Sequence, residues 1–438
     1  MTTAIALPYA KRTLLNGLDV IVHEDHRVPI VAVNLWYHVG SKNERRGRTG
    51  FAHLFEHLMF EGSEHHNGGY FLPLQQAGAL LNGSTNSDRT NYWEVVPANA
   101  LELALWMESD RMGYLLPALT RERFETQRGV VLNERRQTYE NRPYGMALMA
   151  LSAALFPPDH PYHWLTIGDV EDLRAMEFED VRSFFRTYYH PANASLALAG
   201  DIETEHGFAL AEAYFGEILA GEKPSSVHAD ASVAREVRLV LEDRVELPRV
   251  YMAWHSPAMF AEGDAEADLL ADLLANGKTS RLYHTLVYDK RIALDVSAYQ
   301  HSREMSSFFL LASTAAPGQS LTEITAFIDE RIQQVVDEGP VGEEMERGLA
   351  QAEAHFMYRL QTVGGFGGKS DQLNAYNVFK GDPDFFGDDL ARYRRATRES
   401  VRATARRYLA FDRRVLLSVV PKGQAALALP GSEPVSVS

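Results

Sequence analysis

The 438-residue sequence contains no cysteine. Disulfides, thiol catalysis and thiolate-bound metal are therefore excluded, and a reducing compartment is suited. Long apolar runs are missing too: nothing approaches the roughly 20 residues that a membrane-spanning helix needs. The opening stretch, Met1 to Lys11, has no basic region followed by an apolar one, so no secretory leader is read there. The expected compartment is the cytoplasm, or the periplasm if a leader has been removed. Positive charge is scarce: 43 Lys and Arg stand against 59 Asp and Glu, a formal net charge of -16. Neither nucleic acid nor an anionic membrane is expected as a partner of so acidic a chain. If the charge lines a cavity it favours neutral or basic ligands, although solubility alone accounts for it.

What is present is ordinary globular material, 45% hydrophobic, with enough apolar residues for large cores. The length suggests two or three domains at roughly 150 residues each. Arg12 to His23 reads as two strands about a turn at Asn16-Gly17, and Ile30 to Val39 as a third strand. Phe51 to Gly62 reads as a helix and Asn82 to Pro97 as extended chain. Ala100 to Leu115, Arg121 to Arg142, Asp169 to Tyr189 and Glu205 to Phe215 read as helices, and Ala194 to Gly200 as a buried strand. Strands and helices mix without regular alternation, which points to an α+β class.

Gly221 to Ser232 is rich in Pro, Ser, Ala and charge and reads as a linker. Beyond it a strand, Val250 to Ser256, again precedes a helix. Ala52 to Gly62 and Ala267 to Gly277 align without a gap, matching at the Ala, at both Leu and at the Gly. His53, Glu56 and His57 become Asp268, Ala271 and Asp272. The expectation is two similar duplicated domains, 1–222 with the chemistry and 223–438 without it, each a mostly antiparallel sheet covered by helices.

Within Phe51 to Gly62, the apolar residues Phe51, Leu54, Phe55, Leu58 and Met59 recur at helical spacing and form a core face. His53, Glu56 and His57 fall on the opposite face. Two imidazoles one turn apart converge on one ion, and Glu56 lies between them, in reach of a water on that ion. Zinc peptidases need these parts: neutral nitrogen ligands, an open position and a carboxylate base. The order His-x-x-Glu-His inverts the commoner His-Glu-x-x-His. Chance predicts roughly 0.04 such matches in a chain of this His content. A third protein ligand is required, and spacing alone does not select it.

Gly40-Ser-Lys-Asn-Glu44, followed by Thr49-Gly-Phe-Ala-His-Leu-Phe-Glu-His-Leu-Met-Phe-Glu-Gly-Ser63, resembles the signature of the pitrilysin/insulinase family of zinc metallopeptidases. Asn82-Gly-Ser-Thr85 with Asp88, Thr90 and Tyr92, then Tyr189-His-Pro-Ala-Asn193, Gly200-Asp201 and Gly277-Lys-Thr-Ser-Arg-Leu-Tyr283, resemble it as well, so the likeness spans nearly the whole chain. In many members a Glu on a separate helix, 76 residues beyond the second His, completes the metal site. Glu134, in Val130-Val-Leu-Asn-Glu134, stands at that separation from His57. The resemblance thus implies Zn²⁺ held by His53, His57 and Glu134, with Glu56 as the base. Members commonly carry a second Glu seven residues before the ligand. Here Gln127 occupies that place; it keeps hydrogen bonding without charge and is expected to orient the site rather than bind metal.

Asn82 to Tyr92 is polar on both faces, like a sheet edge left open to an extended peptide. The resemblance supports substrate binding at Asn82, Gly83, Ser84 and Thr85, with the first two near the scissile bond. It implies a zinc endopeptidase cleaving peptides or unfolded segments; the alternative is a non-catalytic structural or core subunit of the same family. Gly364-Gly-Phe-Gly-Gly-Lys-Ser370 misses a phosphate-loop spacing by one residue and reads as a flexible loop. In two-unit members the second unit sends an Arg and, seven residues later, a Tyr toward the substrate. The matching positions here hold Val287 and Leu294, with Tyr288 and Arg291 close by in a shifted register. A distinct partner subunit supplying that Arg and Tyr is therefore expected.

Overall fold

The computed structural model describes residues 7–437, so the start of the segment read for a leader lies outside the described residues. Internal packing divides the chain into two compact units, each drawn from three stretches. The first comprises Met1–Asn133, Leu165–Val227 and His355–Asp389; the second comprises Glu134–Trp164, His228–Ala354 and Leu390–Ser438. No helix among the described residues is long and apolar enough to cross a membrane.

Six strands of the first unit are β1 (Ala10–Thr13), β2 (Asp19–Glu24), β3 (Ile30–Tyr37), β4 (Leu80–Thr85), β5 (Thr90–Pro97) and β6 (Ala194–Gly200). They form one mixed sheet in the order β1-β2-β6-β3-β5-β4. The pair β2–β6 is parallel and the others are antiparallel. The second unit carries β7 (Val237–Asp243), β8 (Arg249–Ser256), β9 (Ala293–His301), β10 (Ser307–Ala315), β11 (Val415–Pro421) and β12 (Glu433–Pro434). Their order is β12-β7-β11-β8-β10-β9, with β7–β11 parallel like β2–β6. Five strands thus follow one plan in both sheets, which accounts for the internal repeat in the sequence. The central strands β3, β6, β10 and β11 are almost wholly buried, as runs of Val, Leu, Ala and Phe covered on both faces must be.

The helices are α1 (Phe51–Leu58), α2 (Phe71–Gln76), α3 (Leu101–Ala118), α4 (Arg121–Arg135), α5 (Ala147–Leu155), α6 (Val170–Ala175) and α7 (Phe178–Tyr188). There follow α8 (Thr204–Phe215), α9 (Asp264–Ala275), α10 (Leu321–Glu338), α11 (Gly342–Arg359), α12 (Lys369–Lys380), α13 (Phe386–Arg395) and α14 (Arg398–Tyr408). In the first unit α1 and α3 pack on one face of the sheet and α12 on the other. In the second, α9, α10 and α14 bury Val250, Met252 and Trp254, while α5 covers the opposite face over Tyr251, Ala253 and Leu417. Each sheet therefore receives one covering helix from a distant part of the chain, an arrangement with no sequence signal of its own.

Three expected helices differ in extent: the one read from Arg121 to Arg142 keeps α form to Arg135 and widens to a π turn over Arg136–Glu140. The segment Asp169 to Tyr189 breaks into α6 and α7 because Met176 and Glu177 are extended. Met176 is turned inward, and its carbonyl accepts from Arg128 at 3.2 Å. The helix from Phe51 stops at Leu58, and the chain then turns toward Gly62, whose φ of +127° suits glycine. The linker read at Gly221 to Ser232 lies within residues 219–236, which hold no helix or strand.

Candidate metal centre

Helix α1 is only eight residues long, too short to be stable alone. Its start is held from several sides. Gly50, the N-cap, has φ of +92°. A Cβ there would lie 2.6 Å from the Leu173 side chain, so only glycine fits. The Glu44 carboxylate accepts from the N–H of Gly50 and of Ala52, one oxygen each, both at 2.9 Å. It satisfies two donors that a helix start leaves open and places negative charge at the positive end of the dipole. Thr49 is fixed by its hydroxyl donating to Asp172 at 2.8 Å.

Burial of Phe51, Leu54, Phe55 and Leu58 orients the helix. The Phe55 ring packs on Tyr189, centroids 5.0 Å apart, and the Tyr92 hydroxyl donates to the Phe55 carbonyl at 3.2 Å. His53, Glu56 and His57 are left half-buried on the other side. The two imidazoles stand nearly perpendicular, with centroids 4.9 Å apart.

Glu134 comes from α4. The division between the two units falls between Asn133 and Glu134, within this one continuous helix. His53, His57 and Glu134 each offer one ligand atom, and these three atoms lie within 4.8 Å of one another. Two imidazole nitrogens and one carboxylate oxygen are the donor set of a catalytic zinc, whose bonds run about 2.0–2.2 Å, with a fourth position left for water or substrate. The residues present fit that ion. Glu56 lies close to Tyr92 and Tyr189: burial raises both phenols well above their usual range, and the Glu56 charge adds to this.

Gln127, two turns before Glu134, is not among the three converging donors. Its side-chain amide donates to the Glu61 carboxylate at 2.5 Å, linking α4 to the turn after α1. Of the residues assigned to substrate, Asn82 is exposed, Gly83 buried, and Ser84 and Thr85 half-buried. All four lie on β4, which pairs with β5 alone and ends the sheet. A Cβ on Gly83 would lie 3.0–3.1 Å from the rings of Tyr92 and Phe60, so this position tolerates little more than glycine. Ser84 donates to Asn91 at 2.7 Å.

Sequence reasoning missed two supports. One is Glu44, which was part of the family-like segment but carried no separate role. The other is a buried ionic cluster centred on Arg111, which pairs with Glu108 and with Glu94 at 3.5 Å. The Arg111 guanidinium also lies 4.1 Å from the Tyr92 ring centre. Burial and the neighbouring Glu108 charge push the Glu94 carboxyl well up. Glu108, Asp110 and Arg111 in a helix read as a solvated face, and only the fold shows that Arg111 is buried against Glu94 of β5.

In the second unit the helix corresponding to α1 is α9. Asp268 there accepts from the Tyr393 hydroxyl at 2.6 Å, and Asp264 from Arg392 at 2.9 Å. Burial pushes the Asp268 carboxyl up to about 7, with Asp264 adding to it.

Two family models match successive stretches of the chain. Residues 19–160 match the family described as Insulinase (Peptidase family M16), and residues 175–352 match the Peptidase M16 inactive domain. Zinc protease PqqE of Helicobacter pylori is 28% identical over 380 residues, covering 85% of each chain. The mitochondrial-processing peptidase subunit beta of Caenorhabditis elegans is 27% identical over 60% of this chain and 56% of that one. Among solved structures, a protease from Helicobacter pylori superposes with a TM-score of 0.88 at 24% identity, over 94% of this chain and all of the other (100%). A peptidase M16 inactive domain from Pseudomonas fluorescens gives 0.84 at 16% identity, over 98% of this chain and 100% of that one. At these identities the structural matches speak for the fold.

Proposed function

This chain belongs to the insulinase family of peptidases, M16, and from that membership we propose that it is a zinc-dependent endopeptidase acting on peptides or unfolded polypeptide segments. The observation that supports this reading is the convergence of His53, His57 and Glu134 to within 4.8 Å, with Glu56 on the same helix as both imidazoles. A family member without chemistry has no use for a complete donor set plus a base. Its second half fits the inactive-domain match, since Asp268, Ala271 and Asp272 replace the ligands and the base there. We assign the catalytic role to 1–222 and a homologous role without metal to 223–438.

When bound, zinc supplies Lewis acidity, which makes a water acidic near neutral pH and polarises the substrate carbonyl. His53, His57 and Glu134 would hold it. The Glu56 carboxylate takes a proton from the attacking water and delivers it to the nitrogen of the leaving amine. No acyl-enzyme is formed, so no serine or cysteine nucleophile is required. Gln127 positions α4 through Glu61. An extended peptide adds to the free edge of β4 at Asn82 to Thr85, where main-chain hydrogen bonds would hold it in register.

Zinc content and peptide cleavage of two variants test the assignment. Glu56→Gln is expected to retain zinc and to lose activity by orders of magnitude, whereas His53→Ala loses both. Full zinc in His53→Ala would overturn the ligand set. Unchanged cleavage in Glu56→Gln would overturn the base, and a zinc-loaded wild type with no cleavage under any condition would favour a core-subunit role.

A further inference from the structure

The face of the first sheet turned away from α1 holds a cavity that the chemistry above does not use. Directly paired residues on neighbouring strands share a face. Leu80–Val95 and Asn82–Trp93 therefore point one way, and Gly83–Tyr92 points the other, toward Phe60 and α1. On the Leu80 side lies a cavity of about 500 Å³ walled by Leu80, Trp93, Val95, Ile30 and the backbone from Thr362 to Gly365.

The far wall is built, not loose. A Cβ on Gly364 would lie 2.6 Å from both Ala32 and Val95, so the loop backbone rests directly on the sheet. The Lys369 and Ser370 N–H groups donate to the Thr362 and Val363 carbonyls, each at 3.0 Å. Lys369 Nζ is buried against Asp25 at 2.6 Å and so is not turned toward a phosphate. The Gly367 N–H donates to Asp371 at 2.7 Å, and Asp371 also accepts from Trp36 at 2.9 Å. The charged groups in the lining, Asp25 and Arg27, pair with each other at 2.6 Å. Yet apolar surface is left in water around the opening: Leu80 is 70% exposed, Phe366 51% and Val28 48%.

We infer that this cavity is a side-chain subsite for an extended peptide on β4, and that it takes an aliphatic or aromatic residue. The inference rests on the strand addition proposed above. An added strand would run about 4.8 Å from β4 with its side chains alternating between faces. The residue beside Leu80 that shares its face is delivered to the cavity mouth. Leu80 belongs both to the open edge and to the cavity wall, so main-chain pairing and side-chain recognition are continuous. A charged side chain would lose hydration against these apolar walls.

Equilibrium binding of fluorescein-labelled decapeptides to the zinc-loaded full chain carrying Glu56→Gln, which keeps them intact, tests this directly. One Leu is walked through an Ala-Ser background. Binding should tighten roughly tenfold when Leu reaches one position, as burial of such a side chain predicts, and Asp at that position should cancel the gain. Leu80→Asp, at an exposed site that does not threaten folding, should bring the Leu-over-Ala ratio close to one, and Trp93→Ala should do the same. A ratio that is independent of position, or that survives both variants, overturns the subsite. Wild-type cleavage without any Leu preference would remove the subsite and leave the peptidase reading standing. Position-dependent binding without wild-type cleavage would do the reverse.

Discussion

Glu44 shows how much a single carboxylate can contribute away from the reacting atoms. It joins two N–H groups at the start of an eight-residue helix that carries two of the three proposed ligands. Glu44→Gln keeps one acceptor and loses the second and the charge. Such a loss costs about 1–2 kcal/mol for a buried, charge-assisted contact. The expected result is a lower melting temperature together with weaker zinc retention in a chelator competition. An unchanged zinc affinity would show that the cap serves folding alone. His53, Glu56 and His57 were legible because helical periodicity places them on one face. Glu134 was legible only by likeness to a family, since nothing local distinguishes it from neighbouring acids. Glu44 was not legible as a cap, because its partners are set by a loop that returns on itself.

Helix α9 has kept the scaffold of α1 with acids in place of imidazoles. Burial raises the Asp268 carboxyl to about 7, so the folded chain binds this proton more tightly than the unfolded chain does. The sign follows from linkage: the relative stability of the fold declines as pH rises from the unfolded value, about 4, toward 7, and the cost stays in place above that. Asp268→Asn should therefore stabilise the protein by up to about 4 kcal/mol at pH 8 and change little at pH 4. Denaturant titrations at the two pH values check this, and equal effects at both would discard the explanation. Element boundaries were readable where a local cause sets them, as at the Gly17 turn (φ +90°) and the buried run of β6. The break between α6 and α7 was not, because it depends on Arg128 reaching the Met176 carbonyl from another helix.

For the molecule as a whole, the open question raised by the geometry is completeness. Val287 packs against the core of the second unit and Leu294 is exposed, and neither side chain donates a hydrogen bond. If a second subunit of the family supplies the Arg and Tyr, the purified chain should bind zinc and cleave peptides poorly. Addition of that subunit should raise kcat/KM by about a hundredfold or more, the scale of losing one transition-state donor. Vigorous cleavage by the isolated chain, with a single polypeptide in the preparation, would end the idea. The α+β plan and the repeat were visible from sequence because matched strand–helix pairs recur. The assignment of α5 to the second sheet and α12 to the first was not, because helix amphipathicity reports that a face is buried and not against which sheet.

That assignment also sets a schedule for the newborn chain. All three proposed ligands have been synthesised before residue 140, but α12, which closes the back of the first sheet, ends at Lys380. At about 5–20 residues per second the delay is roughly ten to fifty seconds. Once β6 has completed the sheet beneath α1, and until α12 follows, that sheet has one face uncovered and the wall of the Leu80 cavity has not yet been made. A fragment ending near residue 222 would freeze this unfinished stage: it would carry every residue of the metal site on a sheet with one side open to water.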